Sequence, residues 1–304
     1  MKKLFYISVL FLSSIGTLGQ HAGHIGQYMT NGLPLNPAFS GTREATSIAL
    51  SYRNQWGGLE GAPVTQILTA HSPLKNDEFA VGFMAYNDRI GVSSKMGSQI
   101  SLAYRMKMPQ GKLSMALSGG IQQANNRWGE VVTTDAEDVV FSSGSERFTL
   151  PDFGAGIYFY NDKYYVSVSV PSILSPQYSG GAEYSGVSTL IDLDIYLNGG
   201  CKIDLTEEWQ LRPSAMIRHS QGSPSQLDLN GIANYKNILE TGVSWRSGDA
   251  VMCMLKVWTN PQFNVAYSYE YTISDLSTYS NGTHEVTLQY DFKYKTGATN
   301  PRFF

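Results

Sequence analysis

Apolar and polar residues alternate with a period of two along most of the chain from Thr46 onward. The clearest segment is QISLAYRM (99–106), in which large apolar residues alternate with polar or small ones. Such alternation is typical of strands whose two faces meet different surroundings. About fourteen such segments follow one another, so the sequence predicts an all-β fold. The predicted strands span 46–56, 64–73, 79–87, 97–106, 111–123, 151–160, 164–171, 189–203, 209–219, 225–235, 238–246, 250–259, 263–273 and 283–295.

The second face of these strands distinguishes a membrane barrel from a soluble β-sandwich. A sandwich leaves that face to water, where charged residues are frequent. Here it is rich in Ser, Gly, Ala, Gln and Asn, and only 15% of the chain is charged, against about 25% in a typical globular domain. A closed barrel would leave no unpaired edge in lipid, so we predict an outer-membrane antiparallel β-barrel of about 14 strands. The charged residues predicted to face the lumen are Asp192, Asp194, Arg212, Arg218, Asp228, Glu240, Arg246, Glu270, Glu285 and Asp291.

The connections between the predicted strands favour the same membrane fold. Those after even-numbered strands are short, whereas long ones near 124–150 and 172–188 follow odd-numbered strands. Short periplasmic turns with longer outer loops are typical of bacterial outer-membrane barrels. An even number of strands also returns both ends of the barrel to the periplasmic side.

The first residues predict an exported protein, and the predicted barrel places it in the cell outer membrane. Lys2 and Lys3 precede an apolar stretch, and the small residues Thr17 and Gly19 predict cleavage of a secretory signal near position 19. No cysteine lies near this point, which argues against a lipoprotein. The predicted organisation is a signal peptide (1–19), an N-terminal non-strand segment (20–45), the transmembrane barrel (46–295) and a C-terminal periplasmic tail (296–304). The sequence has no run of basic residues, so nucleic-acid binding is not expected.

Candidate chemistry is sparse, so we expect neither an enzyme nor a cofactor. The sequence has no GxSxG or HExxH motif and no phosphate-cradling glycine loop. His21 and His24 have metal-like spacing, which we attribute to chance. An acidic stretch (135–138) is interpreted as solvated outer surface, with an ion site, a partner site or a rim hydrolase as alternatives. Cys201 and Cys253 are two lipid-facing residues or, alternatively, a bridge.

The segment 20–45 does not alternate, and it contains strand-breaking Pro34 and Pro37. Tyr28, Leu33 and Phe39 nevertheless make it too apolar for a free tail. Either it packs into the barrel mouth as a plug or it docks on a partner. We expect it to pack at the periplasmic end of the barrel.

Four motifs resemble the PorP/SprF family of type IX secretion membrane proteins. They are QYMTNGLPLNPAFSGTR (27–43), YRNQWGGLEGAPVTQ (52–66), HSPL (71–74) and the closing NPRFF (300–304). The residues that match the family motifs are Asn36, Pro37, Ala38, Gly41, Arg53, Asn54, Gln55, Trp56, Gly61 and Pro63.

The resemblance implies an outer-membrane barrel of Bacteroidota linked to type IX secretion and, in some organisms, to gliding motility. It implies a large secreted surface protein as partner, often an adhesin, with a type B C-terminal domain. The barrel would help to export or anchor that protein, together with other secretion and gliding components. The alternative is an outer-membrane channel for a small hydrophobic or polar solute, because fourteen strands with an N-terminal plug also describe fatty-acid channels.

Some of these residues are candidates for partner binding or for a structural role. On the predicted register Arg53 and Gln55 face the lumen and Trp56 lies at the outer interface, where a structural role is favoured. Trp128, Tyr178 and Tyr184 in the long outer loops are candidate aromatic anchors. Arg302 lies in the closing motif.

Overall fold

The protein is described by a computed structural model that covers residues 25–74, 77–130, 145–173, 193–220 and 223–292. Neighbouring strands pair antiparallel and the last strand pairs with the first, so the sheet closes into a barrel. The strands are β1 Thr46–Asn54, β2 Val64–Pro73, β3 Phe79–Ile90, β4 Ser93–Met108, β5 Gly111–Arg127, β6 Ser145–Tyr160, β7 Tyr164–Val170, β8 Ile195–Cys201, β9 Ile203–Asp204, β10 Trp209–His219, β11 Gln226–Tyr235, β12 Leu239–Arg246, β13 Ala250–Trp258, β14 Phe263–Thr272 and β15 Thr283–Phe292.

β8 and β9 are two pieces of one barrel strand. Both pair with β10 in the same register, as Gly200 lies opposite Ser214 and Ile203 opposite Leu211. Pro213 lies between these partners and has no N–H to donate, which accounts for the interrupted ladder. The barrel therefore has fourteen strands, and the predicted fold class is confirmed.

The two faces of the sheet differ as the alternation predicts. Outward side chains such as Ile100 (65% exposed) form an apolar surface, while lumenal residues such as Asp228 (0%) are buried. Of the ten charged residues predicted to face the lumen, Asp192 lies outside the described residues. An apolar outer surface around a polar interior is the arrangement of a barrel in a membrane. No helix in the described part of the chain is long and apolar enough to cross a membrane.

Several strands are longer than the alternation indicates. β3 and β4 are joined by the two-residue turn 91–92, although we predicted a longer connection over 88–96. β5 runs on to Arg127 and β6 begins at Ser145, so the predicted loop 124–150 is shorter. Near the outer end these strands carry polar residues on both faces, so the alternation of apolar and polar residues stops there. Their backbone pairing nevertheless continues. β8 begins at Ile195 rather than at 189, and residues 189–192 lie outside the described ranges.

Connection lengths define the two ends of the barrel. The end with the short turns 109–110, 161–163 and 236–238 is here called the periplasmic end, and the opposite end the outer end. Thr46 lies opposite Phe292, so the first strand begins and the last strand ends at the periplasmic end. Both cysteines are free thiols, with Cys253 exposed on the outward face and Cys201 half-buried.

Candidate functional site: the inner segment and the outer platform

Residues 25–45, the inner segment, lie inside the barrel. Even polar members are buried, such as Gln27 (1% exposed) and Ser40 (0%). Hydrogen bonds tie the segment to strands around the lumen. These pairs are Gln27 with Ser268 of β14, Tyr28 with Asn230 of β11, Asn31 with Thr69 of β2, Asn36 with Ile157 of β6, Ser40 with Ser101 of β4, and Leu35 with Ser169 of β7.

A row of small lumenal residues makes room for the 3-10 turn Pro37–Phe39. Ala80, Ala103, Ala116 and Gly156 are consecutive partners across β3 to β6. Because none has a side chain larger than a methyl group, the turn packs directly on the wall. The ring centroid of Phe39 lies 5.6 Å from His71 and 5.8 Å from Tyr158, with both rings edge-on.

Asn36 couples the turn to the wall through both ends of its amide. Its oxygen accepts from the backbone N–H of Ala38 at 2.8 Å, and its nitrogen donates to the carbonyl oxygen of Ile157 at 3.1 Å. A Cβ at Gly156 would lie 2.0 Å from the amide oxygen of Asn36, so glycine is needed there. The family motif residues Asn36 and Pro37 are thus buried in the lumen.

Replacing Asn36 by Ala is expected to lower the free energy of unfolding by about 1–3 kcal/mol, because the cap is lost and a buried N–H is left unpaired. Asn36→Asp can still accept from Ala38 but cannot donate to Ile157, so it separates the two bonds. The measurement is the urea midpoint of barrel unfolding in detergent. Equal midpoints for wild type and Asn36→Ala would contradict the assignment.

An ion cluster lies near the outer end of the lumen. Arg53 donates to both oxygens of Glu270, at 2.9 and 2.8 Å, and to Glu285 at 3.0 Å. Arg246 contacts Glu270, Asp228 and Asp249, each at 3.3 Å. Two arginines therefore face four carboxylates, and the cluster needs further hydrogen-bond donors.

The inner segment supplies those donors. The backbone N–H groups of Gly26 and Gln27 donate to the two oxygens of Glu285, at 2.9 and 3.2 Å. A Cβ at position 26 would lie 2.5 Å from Glu270, so glycine is needed for this close approach. The inner segment thus reaches the part of the lumen near the outer end. The expectation that it packs at the periplasmic end alone is therefore corrected. The segment extends this far because the carboxylates near the outer end outnumber the arginines and accept hydrogen bonds from its backbone.

The other end of the inner segment is held near the periplasmic end. Arg43 donates to the carbonyl oxygen of Thr30 at 2.7 Å and lies 3.7 Å from Asp291. Arg105 of β4 donates to the carbonyl oxygen of Gly41. Anchors at both ends therefore fix the segment along the length of the lumen.

A cavity remains between the inner segment and the wall formed by β6 to β12. Tyr28, Leu35, Tyr165 and Tyr196 are among the residues that line it. Its volume is about 60 Å³, which is enough for a few water molecules.

An ordered surface covers part of the outer end and is here called the outer platform, residues 55–63 and 273–282. The backbone N–H of Gly57 donates to the carbonyl oxygen of Gly282 at 2.7 Å, and the N–H of Asn281 to the carbonyl oxygen of Gly57 at 2.8 Å. Leu59 (37% exposed) and Tyr279 (71%) present apolar surface to the outside. The platform thus combines fixed backbone with exposed apolar side chains.

The described site residues lie in the inner segment, on the barrel wall, on the outer platform and at the outer end of β5. Arg53 faces the lumen as predicted, whereas Gln55 follows the end of β1 and lies on the platform, where its N–H donates to Pro63 at 2.9 Å. Trp56, also on the platform, has a backbone φ of 50°, and Trp128 begins a short 3-10 turn at the outer end of β5.

Other candidates fall outside the described residues. They are His21, His24, Asp135, Glu137, Asp138, Tyr178, Tyr184 and Arg302. Among the residues that the structure describes, no group of three His, Cys, Asp or Glu side chains could hold a metal ion.

Sequence reasoning missed the residues that make room for the inner segment. Gly26 and the row Ala80, Ala103, Ala116 and Gly156 become meaningful only when register brings distant strands together. Leu59 and Tyr279 carried no periodic signal because both lie in loops.

A closed, outwardly apolar barrel with a packed polar lumen defines this chain as an outer-membrane β-barrel. Two solved structures illustrate what the chain is similar to. The CymD monoaromatic hydrocarbon channel is similar with a TM-score of 0.52 and 11% identity, over 91% of this chain and 95% of that one. Omp33 of Acinetobacter baumannii is similar with a TM-score of 0.49 and 9% identity, over 82% of this chain and 98% of that one. No curated protein sequence matches the chain.

The family follows from the sequence itself. The family model described as type IX secretion system membrane protein PorP/SprF matches residues 18–290, so the chain belongs to the PorP/SprF family. It is an outer-membrane barrel of the type IX secretion system, and other components of that system are its implied partners. Family and fold are those of a secretion-system membrane barrel.

Proposed function

We propose that this barrel binds a large secreted surface protein through its type B C-terminal domain, and helps to export it or anchors it at the cell surface. An adhesin is the expected kind of partner, and gliding components are expected neighbours. The proposal rests on family membership, and the outer platform is the observation that supports a binding surface. No catalytic step is proposed.

The platform has the properties of a partner site. Its backbone is fixed by the reciprocal hydrogen bonds between residues 57 and 281–282, so binding orders little further chain. Trp56 has a positive φ, which is uncommon for a bulky residue and costs about 1–3 kcal/mol. Backbone strain of this kind clusters at functional sites. Exposed Leu59 and Tyr279 supply the apolar anchors that partner surfaces use.

The anchored inner segment inside the barrel supports a scaffold over a solute channel. The inner segment is anchored near both ends of the barrel, and the cavity beside it has room for only a few waters. A channel would need the inner segment to move. The binding proposal needs no such movement, because the platform lies at the outer end.

Replacing both Leu59 and Tyr279 by Ser is expected to reduce recovery of the surface partner at least about tenfold, because two anchors are lost from one surface. A tagged copy is extracted gently from its native membrane, and co-eluting proteins are quantified by mass spectrometry. The wild-type protein should retain a large surface protein, and removal of that protein's C-terminal domain should abolish its recovery.

Leu205→Ser is the matched control, because Leu205 is also an exposed apolar residue in a loop but lies in a turn at the periplasmic end. It should leave recovery unchanged. Equal loss in both variants would show a general defect rather than loss of a platform contact. A wild-type barrel recovered intact and partner-free would overturn the proposed function.

A further inference from the structure

A groove lies on the outward face of β1 to β6, where the apolar band meets more polar rows. Its volume is about 520 Å³, within the range of about 300–1,000 Å³ for ligand pockets. Ala85 and Ser98, directly opposite each other on β3 and β4, are small residues among the lining. Larger apolar side chains border them, namely Leu50, Leu68, Met96 and Ile121.

Register orders the outward residues into rows of increasing polarity. Leu68, Ala85, Ser98 and Ile121 are consecutive partners at the level of the groove. One step toward the outer end, the row is Gln66, Asn87, Met96, Gln123 and Thr149. One further step gives Arg89, Ser94, Asn125 and Arg147. The wall therefore changes from apolar to amide-bearing to basic within three rows.

The basic row is placed to meet a negatively charged group above the groove. Arg89 and Arg147 are both exposed and lie three strand spacings apart, about 14 Å. Arg147 leans back toward β5, where it donates to the side-chain oxygen of Gln123 at 2.5 Å. Two long cationic side chains thus flank Ser94 and Asn125. Arginine is well suited to phosphate because its planar group donates two parallel hydrogen bonds.

We propose that this wall binds an anionic, phosphate-bearing lipid of the outer leaflet, with one acyl chain in the groove and its phosphate between Arg89 and Arg147. The barrel lies in lipid, so acyl chains reach the groove without leaving the membrane. The polarity gradient along the wall matches that of a lipid from chain to headgroup. Basic residues near a membrane surface attract anionic lipid at about 1 kcal/mol each. This inference is independent of the proposed surface partner.

Native mass spectrometry of the full-length barrel in detergent tests the inference. Phosphatidylglycerol and phosphatidylcholine with identical acyl chains are the probes. The wild-type barrel should retain one phosphatidylglycerol about tenfold more strongly than phosphatidylcholine, and Arg89→Gln with Arg147→Gln should abolish that preference. Ala85→Trp fills the groove and should reduce retention of both lipids.

Two matched variants control for charge and bulk. Lys163→Gln removes an exposed positive charge in a periplasmic turn, and Cys253→Trp adds an outward ring on the distant strand β13. Neither should change lipid retention, and heat modifiability on gels verifies folding of each variant. Equal retention of the two lipids by the wild type would overturn the proposal. An equal loss of lipid retention in the control and test variants would also overturn it. A protein or a second barrel bound on this wall would do the same.

Discussion

Arg53→Met is expected to lower the free energy of unfolding by about 3–5 kcal/mol, because Glu270 and Glu285 lose the cation they share in a buried site. The side chains of all three residues are at most 4% exposed. Arg246 contacts only Glu270 of this pair, so it cannot compensate at Glu285. The urea midpoint in detergent, followed by tryptophan fluorescence, measures the loss.

Two further variants separate burial from charge. Lys112→Met breaks the Lys112–Glu44 pair, whose side chains are 26% and 34% exposed, so it should cost at most about 1 kcal/mol. Adding Glu285→Gln to Arg53→Met removes one uncompensated carboxylate and should restore part of the loss. A cost below 1 kcal/mol for Arg53→Met would contradict a stabilising role for the outer-end cluster.

The sequence predicts the barrel well because one physical rule governs every strand. Outward residues contact lipid and inward residues face a polar lumen, so apolar and polar residues alternate along each strand with a period of two. The same rule predicts that Arg53 faces the lumen. It fails where strands leave the lipid, as in β3 and β4 around Asp88 and Lys95, because both faces there are polar. Strand ends beyond the membrane depend on hydrogen bonding that no hydrophobic pattern records.

The position of the inner segment could not be predicted in the same way. Its apolar residues indicate burial, but the depth is decided by partners distant in sequence, such as Glu285 for Gly26. Those partners are brought together only by the closure of β15 on β1. The family motif singled out Asn36 and Pro37, and the structure supplies the physical reason, since the 3-10 turn fits a row of small residues.

The ion cluster near the outer end and the inner segment stabilise each other. Glu285 receives two backbone N–H groups from the inner segment, and the segment gains its outer anchor from Glu285. Loss of either partner leaves buried polar groups unpaired, at about 1–3 kcal/mol for each group. The inner segment is therefore expected to remain in the lumen unless several contacts break together.

Removing residues 25–44 is expected to convert a silent barrel into a conducting one. The deletion takes out the chain that fills the lumen between the outer-end cluster and Arg43, and the remaining wall there is polar. Purified protein in planar lipid bilayers provides the measurement. The wild type should show no discrete steps, whereas the deletion should show stepwise conductance. Heat modifiability on gels establishes that the shortened chain still forms a barrel.

A cross-linked variant keeps the test decisive if the deletion fails to fold. The hydroxyls of Ser40 and Ser101 are 2.8 Å apart, so Ser40→Cys with Ser101→Cys should form a disulfide between the inner segment and β4, in a background with Cys201→Ser and Cys253→Ser. The oxidised protein should remain silent in the bilayer, because the segment is held in the lumen. Steady, substrate-sensitive conductance in the wild type, abolished by this cross-link, would show a moving segment and favour a solute channel. Silence in both the wild type and the cross-linked protein would support a barrel that is closed by its own N-terminal chain and acts through its outer surface.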